Sequence, residues 1–160
     1  MSEVRLKIFP GAYNNELAYA NVINYVTAKA LWGGYGFFPY NAQNIVSAFE
    51  RSRDYSLQSE DHQLWHFTIT FSQKFEIHYL YQLANEIAFE FANDYQIVFA
   101  VDTEGCPHLH FAVNAFSYHP HIRTLSSDMM RHIACHILKK LHNSSPLFQH
   151  TTLDFPKEVS

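Results

Sequence analysis

The stretch VDTEGCPHLHFAVN, from Val101 to Asn114, decides both the fold and the candidate chemistry of this 160-residue chain. Successive side chains of a strand point to opposite faces. His108, His110 and Asn114 therefore share one face, and the apolar residues between them form the other. A polar turn separates this strand from a preceding apolar run. The pattern predicts an antiparallel hairpin whose second strand carries a polar face.

Apolar periodicity on both sides of the hairpin predicts one domain over residues 1–160. Alternation of apolar and polar residues indicates strands, and recurrence at three- and four-residue steps indicates helices. The segment Gly33–Gly36 predicts a flexible aromatic loop. The expected fold class is α+β, an antiparallel β-sheet with helices packed on one face. The predicted strands are 4–9, 64–71, 96–101, 109–116 and 147–155, and the predicted helices are 14–30, 41–53, 77–91 and 126–141.

Composition narrows the class of protein. Hydrophobic residues make up 48% of the chain and charged residues 16%, which excludes wholesale disorder. No apolar run approaches the ~18 residues of a membrane span, and the first ten residues contain no apolar stretch typical of a secretory signal. Two cysteines are too few for a disulfide framework, so we expect a reducing, cytoplasmic compartment. The net charge of −4 argues against a generic basic nucleic-acid binder.

The polar face of the second hairpin strand has the donors of a metal site. His108 and His110 supply two imidazoles, and Glu104, in the turn just before them, could fold back as a carboxylate ligand. Two imidazoles and a carboxylate suit a divalent transition metal with open positions. His-x-His spacing by itself is a weak signal that also fits two solvent-facing histidines on an exposed strand, so both interpretations stay open.

The same stretch resembles a motif of a known family. Thr103–Phe111 is similar to the third motif of relaxases, the mobilisation nucleases of plasmids and conjugative elements, which belong to the HUH class of endonucleases. That motif reads roughly His-x-Asp-Glu-x-x-Pro-His-x-His, often followed by three residues and an asparagine, here Asn114. Ile23–Val26 resembles the first motif, in which a tyrosine lies on an early helix. Gly33–Gly36 and His66–Ser72 are similar to segments between these motifs.

The resemblance covers approximately residues 4–118 and implies a reaction. Relaxases nick one DNA strand by transesterification, and the motif position makes Tyr25 the nucleophile. The resemblance implies a divalent metal, Mn²⁺ or Mg²⁺, bound by His108, His110 and Glu104. It further implies single-stranded DNA at an origin of transfer as substrate, other mobilisation proteins as partners, and a relaxase-like fold of the ferredoxin or RRM type. Replication initiators of the same class usually have the tyrosine after the histidine motif, so they fit less well.

The chain departs from the family at one ligand. The third histidine of the relaxase motif falls where this sequence has Val101, which cannot bind a metal. Asp102 is a further nearby carboxylate, and His66 could supply a nitrogen from a neighbouring strand; Asn114 completes the supporting group. The alternative function is a catalytically degenerate relaxase-fold protein that binds DNA or serves as an interaction protein of a mobile element.

A cluster of aromatic residues follows the candidate nucleophile. Trp32 and Tyr35 lie in the Gly-rich segment, and Lys29 is a nearby cation for a phosphate. Bases of single-stranded DNA stack on aromatic rings, with about 1–3 kcal/mol per base. A hydrophobic loop packed over the sheet edge explains the same residues, and the sequence leaves the two interpretations equal.

Overall fold

The computed structural model describes residues 3–10, 13–38 and 41–156, and these form six strands and four α-helices. A short 3₁₀ turn, Pro146–Phe148, precedes the last strand. The strands are β1 (Glu3–Ile8), β2 (Leu31–Tyr35), β3 (Leu64–Phe71), β4 (Ile97–Asp102), β5 (His108–Asn114) and β6 (His150–Asp154), and the helices are α1 (Ala18–Thr27), α2 (Ala42–Tyr55), α3 (Ile77–Ala88) and α4 (Ser127–Ser144).

The six strands form one mixed sheet in the order β2-β4-β5-β3-β1-β6. The α+β class and the β4–β5 hairpin are confirmed, with Phe99 opposite Phe111 at the centre of the pair. The expectation of a wholly antiparallel sheet is wrong, because β6 pairs in parallel with β1. The chain reaches this position through α4 and the 3₁₀ turn, so β6 enters the sheet in the direction of β1.

Helices cover both faces of the sheet, so the expectation of helices on one face is also wrong. Helices α3 and α4 pack on the face that includes Phe67, Phe99 and Phe111. Helices α1 and α2 pack on the opposite face, against small apolar residues such as Ala100 and Ala112. Strands β3, β4 and β5 are buried almost throughout their length, as is typical of strands covered on both sides.

The Gly-rich segment is the edge strand β2 rather than a flexible loop. A Cβ atom at Gly33 would lie 2.6 Å from the Tyr81 hydroxyl, and one at Gly34 would collide with the backbone carbonyl of Ile97. The two glycines therefore allow close packing around β2, and the prediction of a flexible loop at this segment is wrong.

The face covered by α1 and α2 is open at one end. Along β1, Arg5 and Lys7 are exposed on this face, opposite Thr70 and Thr68 of β3. The polar residues singled out from the sequence lie where the helix-covered part of this face meets the open part.

No helix in residues 3–10, 13–38 and 41–156 has both the length and the apolar character needed to cross a bilayer.

Candidate active site

Three histidines form a row on the face that α1 and α2 cover. His108 and His110 lie on β5, and His66 lies on β3, opposite Ala112. The ring centroids of His108 and His110 are 5.9 Å apart, those of His66 and His110 are 6.2 Å apart, and the rings are nearly parallel. His66 is thus displaced along the sheet from His110 in the direction away from His108. The three rings lie one after another in the order His108, His110, His66. A single small ligand can therefore contact two adjacent rings of the row but not all three.

Four ring nitrogens of this row are buried without a hydrogen bond. They are His66 Nε2, His108 Nδ1 and both ring nitrogens of His110. A buried polar atom left unpaired costs about 1–3 kcal/mol, so these atoms are suited to a ligand that supplies the missing interaction. Burial lowers the pKa of His66 and that of His110 to about 4. The two imidazoles are therefore neutral near pH 7, which is the form that binds metal ions.

Tyr25 lies on this row. The buried side chains of α1, including Ile23 and Val26, fix the helix on the sheet, and Tyr25 falls at the margin of that buried stripe. Its ring centroid is 5.4 Å from that of His110 and 6.0 Å from that of His66, edge-on in both cases. The side chain is 48% exposed, so solvent or a substrate can reach it. The structure thus brings the candidate nucleophile into contact with His110, although the two residues are more than eighty positions apart in sequence.

Asp102 and Lys29 form an ion pair beside the row. Lys29 Nζ is 3.3 Å from Asp102 Oδ2, and the same oxygen is 3.8 Å from His110 Nε2. Burial alone would raise the pKa of Asp102, but the Glu104 backbone N–H and the Lys29 ammonium hold it below its usual value. Burial likewise opposes the charge of Lys29, yet Asp102 and Tyr25 raise the pKa of Lys29 above its ordinary value. Both groups are charged near pH 7.

Asp102, rather than Glu104, is the carboxylate in contact with His110. Glu104 is exposed in the β4–β5 turn, and its backbone N–H donates to Asp102 Oδ1 at 3.0 Å. Within the described parts of the chain, no group of three or more His, Cys, Asp or Glu side chains is arranged to hold a metal ion. The orphaned nitrogens of His108 and His110 nevertheless fit such an ion chemically, with Asp102 or Glu104 as the nearest source of a carboxylate.

The position that the resemblance assigns to the missing histidine does not face the candidate site. Val101 is buried on the opposite face of the sheet, in register with Leu109. A histidine at 101 would point into that apolar core, away from the candidate site. Ala100 is the residue that lies opposite His110 on the site face. The side chain at position 101 therefore faces away from the candidate site, because neighbouring residues of a strand point to opposite faces.

Asn114 shares the site face but is occupied by structural hydrogen bonds. It is fully buried, and its Oδ1 accepts from the Tyr19 hydroxyl at 2.7 Å. Its amide Nδ2 donates to the Phe49 carbonyl at 3.1 Å and to Gln96 Oε1 at 2.9 Å. Asn114 therefore joins α1 and α2 to the sheet. Sequence periodicity gave no signal for this network, because its members come from four separate parts of the chain.

The aromatic residues after Tyr25 divide between the two faces. Trp32 packs with the core under α1 and α2. Tyr35 points to the other face, where its hydroxyl donates to Asn85 Oδ1 at 2.5 Å and its ring contacts Phe89. Tyr35 is consequently remote from the histidine row.

Two residues that the sequence analysis did not single out hold His66. Phe9 stacks on its ring at 4.4 Å, and the Tyr13 hydroxyl lies 3.5 Å from its Nδ1. Tyr13 has a positive φ of 44°, a backbone conformation that non-glycine residues rarely adopt. No periodic pattern in the sequence predicts a residue with this conformation. The only sequence signal is Pro10, which predicts a turn shortly before Tyr13.

Comparison of the chain with protein-family profiles, with curated proteins and with solved structures found no match.

Proposed function

We propose that the protein nicks single-stranded DNA at a specific site by tyrosine transesterification, as a relaxase-like mobilisation nuclease of the HUH class. The observation that carries this proposal is the contact of the half-exposed Tyr25 ring with His110 and His66. A tyrosine early in the chain and a His-x-His strand late in the chain meet at one point of the fold. This juxtaposition is the one that the relaxase resemblance requires.

The proposed cofactor is Mn²⁺ or Mg²⁺. His108 and His110 would supply imidazole nitrogens, and Asp102 or Glu104 a carboxylate. When bound, the ion would polarise the scissile phosphate and offset the negative charge that develops on it. The buried ring nitrogens of His108 and His110 that lack a hydrogen bond support this assignment, because a bound ion would supply the missing interaction.

The open end of the site face supports a single-stranded substrate. Arg5 and Lys7 are exposed on β1, in register with Thr70 and Thr68, and Thr68 in turn is in register with His110. These side chains form a polar track beside the histidine row that can bind a phosphate backbone. Few cations suffice for one strand held at a specific site, which reconciles the proposal with the net charge of −4.

The proposed reaction forms one ester and breaks another. The Tyr25 oxygen bonds to phosphorus, the bond from phosphorus to the 3′ oxygen breaks, and the 5′ phosphate stays on Tyr25. The phenol releases its proton to solvent, and the leaving 3′ oxygen takes up a proton. Because the new ester replaces the old one, the strand can be rejoined without ATP.

A pool of labelled single-stranded DNA with randomised sequence tests the proposal. The protein is incubated with the pool and Mn²⁺, and covalent adducts are separated on denaturing gels. We expect an adduct whose DNA is attached to the Tyr25 peptide, as identified by mass spectrometry, and which Tyr25→Phe abolishes. Tyr79→Phe is the matched control, because Tyr79 is exposed on α3, on the other side of the sheet. Absence of an adduct in wild type would refute the nuclease.

The second candidate is a DNA-binding protein of the same fold that has lost turnover. Ala100, which faces His110 and cannot bind a metal, favours it. Calorimetric titration with Mn²⁺ separates the two candidates. Binding that His108→Ala abolishes supports the nuclease, whereas DNA binding without any metal binding supports the degenerate protein.

A further inference from the structure

Lys29 is the one cation in direct contact with the candidate nucleophile, among the residues that the structure describes. Its Nζ lies 4.5 Å from the centroid of the Tyr25 ring, within the range of a cation–π contact. An ammonium at this distance from the ring can stabilise negative charge that forms on the phenol oxygen. The same ammonium reaches Asp102 Oδ2 at 3.3 Å, so it links the nucleophile with the carboxylate of the site.

The backbone fixes Lys29 on both sides. Its N–H donates to the carbonyl of Val26 at 3.2 Å, at the end of α1. Two residues later β2 begins with Leu31, which pairs with Val101 beside Asp102. The side chain is 23% exposed, and therefore remains reachable by a phosphate. A surface lysine normally loses rotamer freedom when a substrate orders it, but here the ion pair with Asp102 has already oriented the side chain.

We propose that Lys29 is a catalytic residue of the DNA-nicking reaction, where its ammonium stabilises the negative charge that forms on the Tyr25 oxygen and the attacked phosphate. This inference rests on the proposed function. The bond changes are those of the nicking step: the phenol oxygen joins phosphorus and the 3′ oxygen leaves. Lys29 stays protonated throughout and transfers no proton. Asp102 holds the ammonium in place, and in this site a fixed positive charge stands beside the nucleophile before any metal binds.

The position of Lys29 explains how the site can work with one histidine fewer than the family motif. Ala100 leaves the space opposite His110 without a ligand, whereas Lys29 reaches the same site from the end of α1. A preorganised charge at the reacting oxygen contributes a factor of about 10²–10³ in rate in other enzymes. The lysine would therefore offset part of the stabilisation that a third imidazole provides through the metal.

Single-turnover rates of adduct formation test the inference. The rates are measured at saturating labelled single-stranded DNA with Mn²⁺, so that differences in DNA affinity do not enter. We expect Lys29→Met to slow adduct formation about 100-fold and Lys29→Arg to retain part of the rate, because arginine keeps the charge but not the geometry. Lys139→Met removes an exposed lysine from α4, on the other side of the sheet, and is expected to leave the rate unchanged.

Chemical rescue distinguishes a charge from a structural role. Lys29→Cys in a background of Cys106→Ser and Cys135→Ser is alkylated with 2-bromoethylamine, which rebuilds an ammonium at the length of lysine. Both native cysteines are exposed and would otherwise react. We expect the rate to recover on aminoethylation and not on alkylation with a neutral reagent. A melting temperature close to wild type in all variants excludes unfolding as the cause of the loss.

The outcomes separate this inference from the proposed function. If Lys29→Met forms the Tyr25 adduct at the wild-type rate, Lys29 is not catalytic and the nuclease proposal stands. If Asp102→Asn restores the rate of Lys29→Met, the lysine acts only by neutralising Asp102, and the inference is overturned. If wild type forms no adduct with any DNA, the function and the inference fail together.

Discussion

The two faces of the sheet use the same strands for opposite purposes. The face under α3 and α4 is dry and aromatic, with Phe67 and Phe111 stacked at 4.6 Å. The face under α1 and α2 has small apolar residues at its centre and then ends in the histidine row with unpaired nitrogens. The first face is therefore apolar throughout, whereas the second combines an apolar core with buried polar atoms that reduce stability unless a ligand binds them.

Truncation on the dry face is expected to have the largest effect on stability. Phe111 is fully buried and stacks on Phe67, so Phe111→Ala leaves a cavity that rigid neighbours cannot fill. We expect a loss of about 3–5 kcal/mol in the free energy of unfolding, measured by urea denaturation. His110→Ala, one residue away on the other face, serves as the comparison and is expected to cost far less, since it also removes two unpaired polar atoms. Equal losses in both variants would contradict the division between the faces.

The pH dependence of stability sharpens the same contrast. Burial lowers the pKa of His66 and of His110 to about 4, against about 6.5 in an unfolded chain. Between these values the unfolded chain binds protons that the folded one excludes, so stability is present above pH 6.5 and is lost as the pH falls towards 4. One such histidine accounts for a change on the order of 3 kcal/mol.

Urea denaturation at pH 7 and pH 5 measures this loss. His66→Gln is expected to reduce the difference between the two pH values, while His132→Gln, on an exposed position of α4, is expected to leave it unchanged. The prediction fails if the two variants respond to pH alike.

Restoring the missing ligand is expected to strengthen metal binding. Ala100 lies opposite His110 on the site face, so Ala100→His adds a third imidazole within reach of the pair. We expect Mn²⁺ affinity to rise at least about 10-fold, a change of about 1.4 kcal/mol, at some cost in packing because Ala100 is fully buried. Val101→His is the matched comparison and is expected to destabilise the dry core without improving affinity. A gain in affinity at position 101 would instead favour the original sequence alignment. Calorimetry measures both.

The sequence predicted the elements better than their arrangement. Periodicity located all four helices and most strands, and it predicted β3 with the bounds that the structure has. The Gly33–Gly36 segment was misinterpreted, because only tertiary packing against Tyr81 shows why a strand there needs glycine. Helices on both faces were missed as well, since small residues such as Ala100 and Ala112 look unremarkable in sequence and yet form the floor under α1.

The candidate site, too, was predicted from the sequence only in part. Strand alternation was enough to place His108 and His110 on one face, and the motif resemblance pointed to Tyr25. The ion pair of Lys29 with Asp102 depends on the end of α1 meeting the end of β4. No local pattern contains that meeting, so this part of the site could be found only from the fold.

The smallest effect on stability is expected at the open end of the site face, and it tests the DNA track directly. Arg5 forms an ion pair with Asp154 at 2.6 Å, but solvent reaches both side chains, so Arg5→Met is expected to change the free energy of unfolding by no more than about 1 kcal/mol. Affinity for single-stranded DNA, measured by fluorescence anisotropy in increasing salt, should nevertheless fall, and its dependence on salt should weaken by about one phosphate contact. Arg131→Met removes the same charge from α4 and provides the control. If both variants bind DNA equally well, β1 is not part of the DNA interface, and the ligand-binding part of this face does not extend beyond the histidine row.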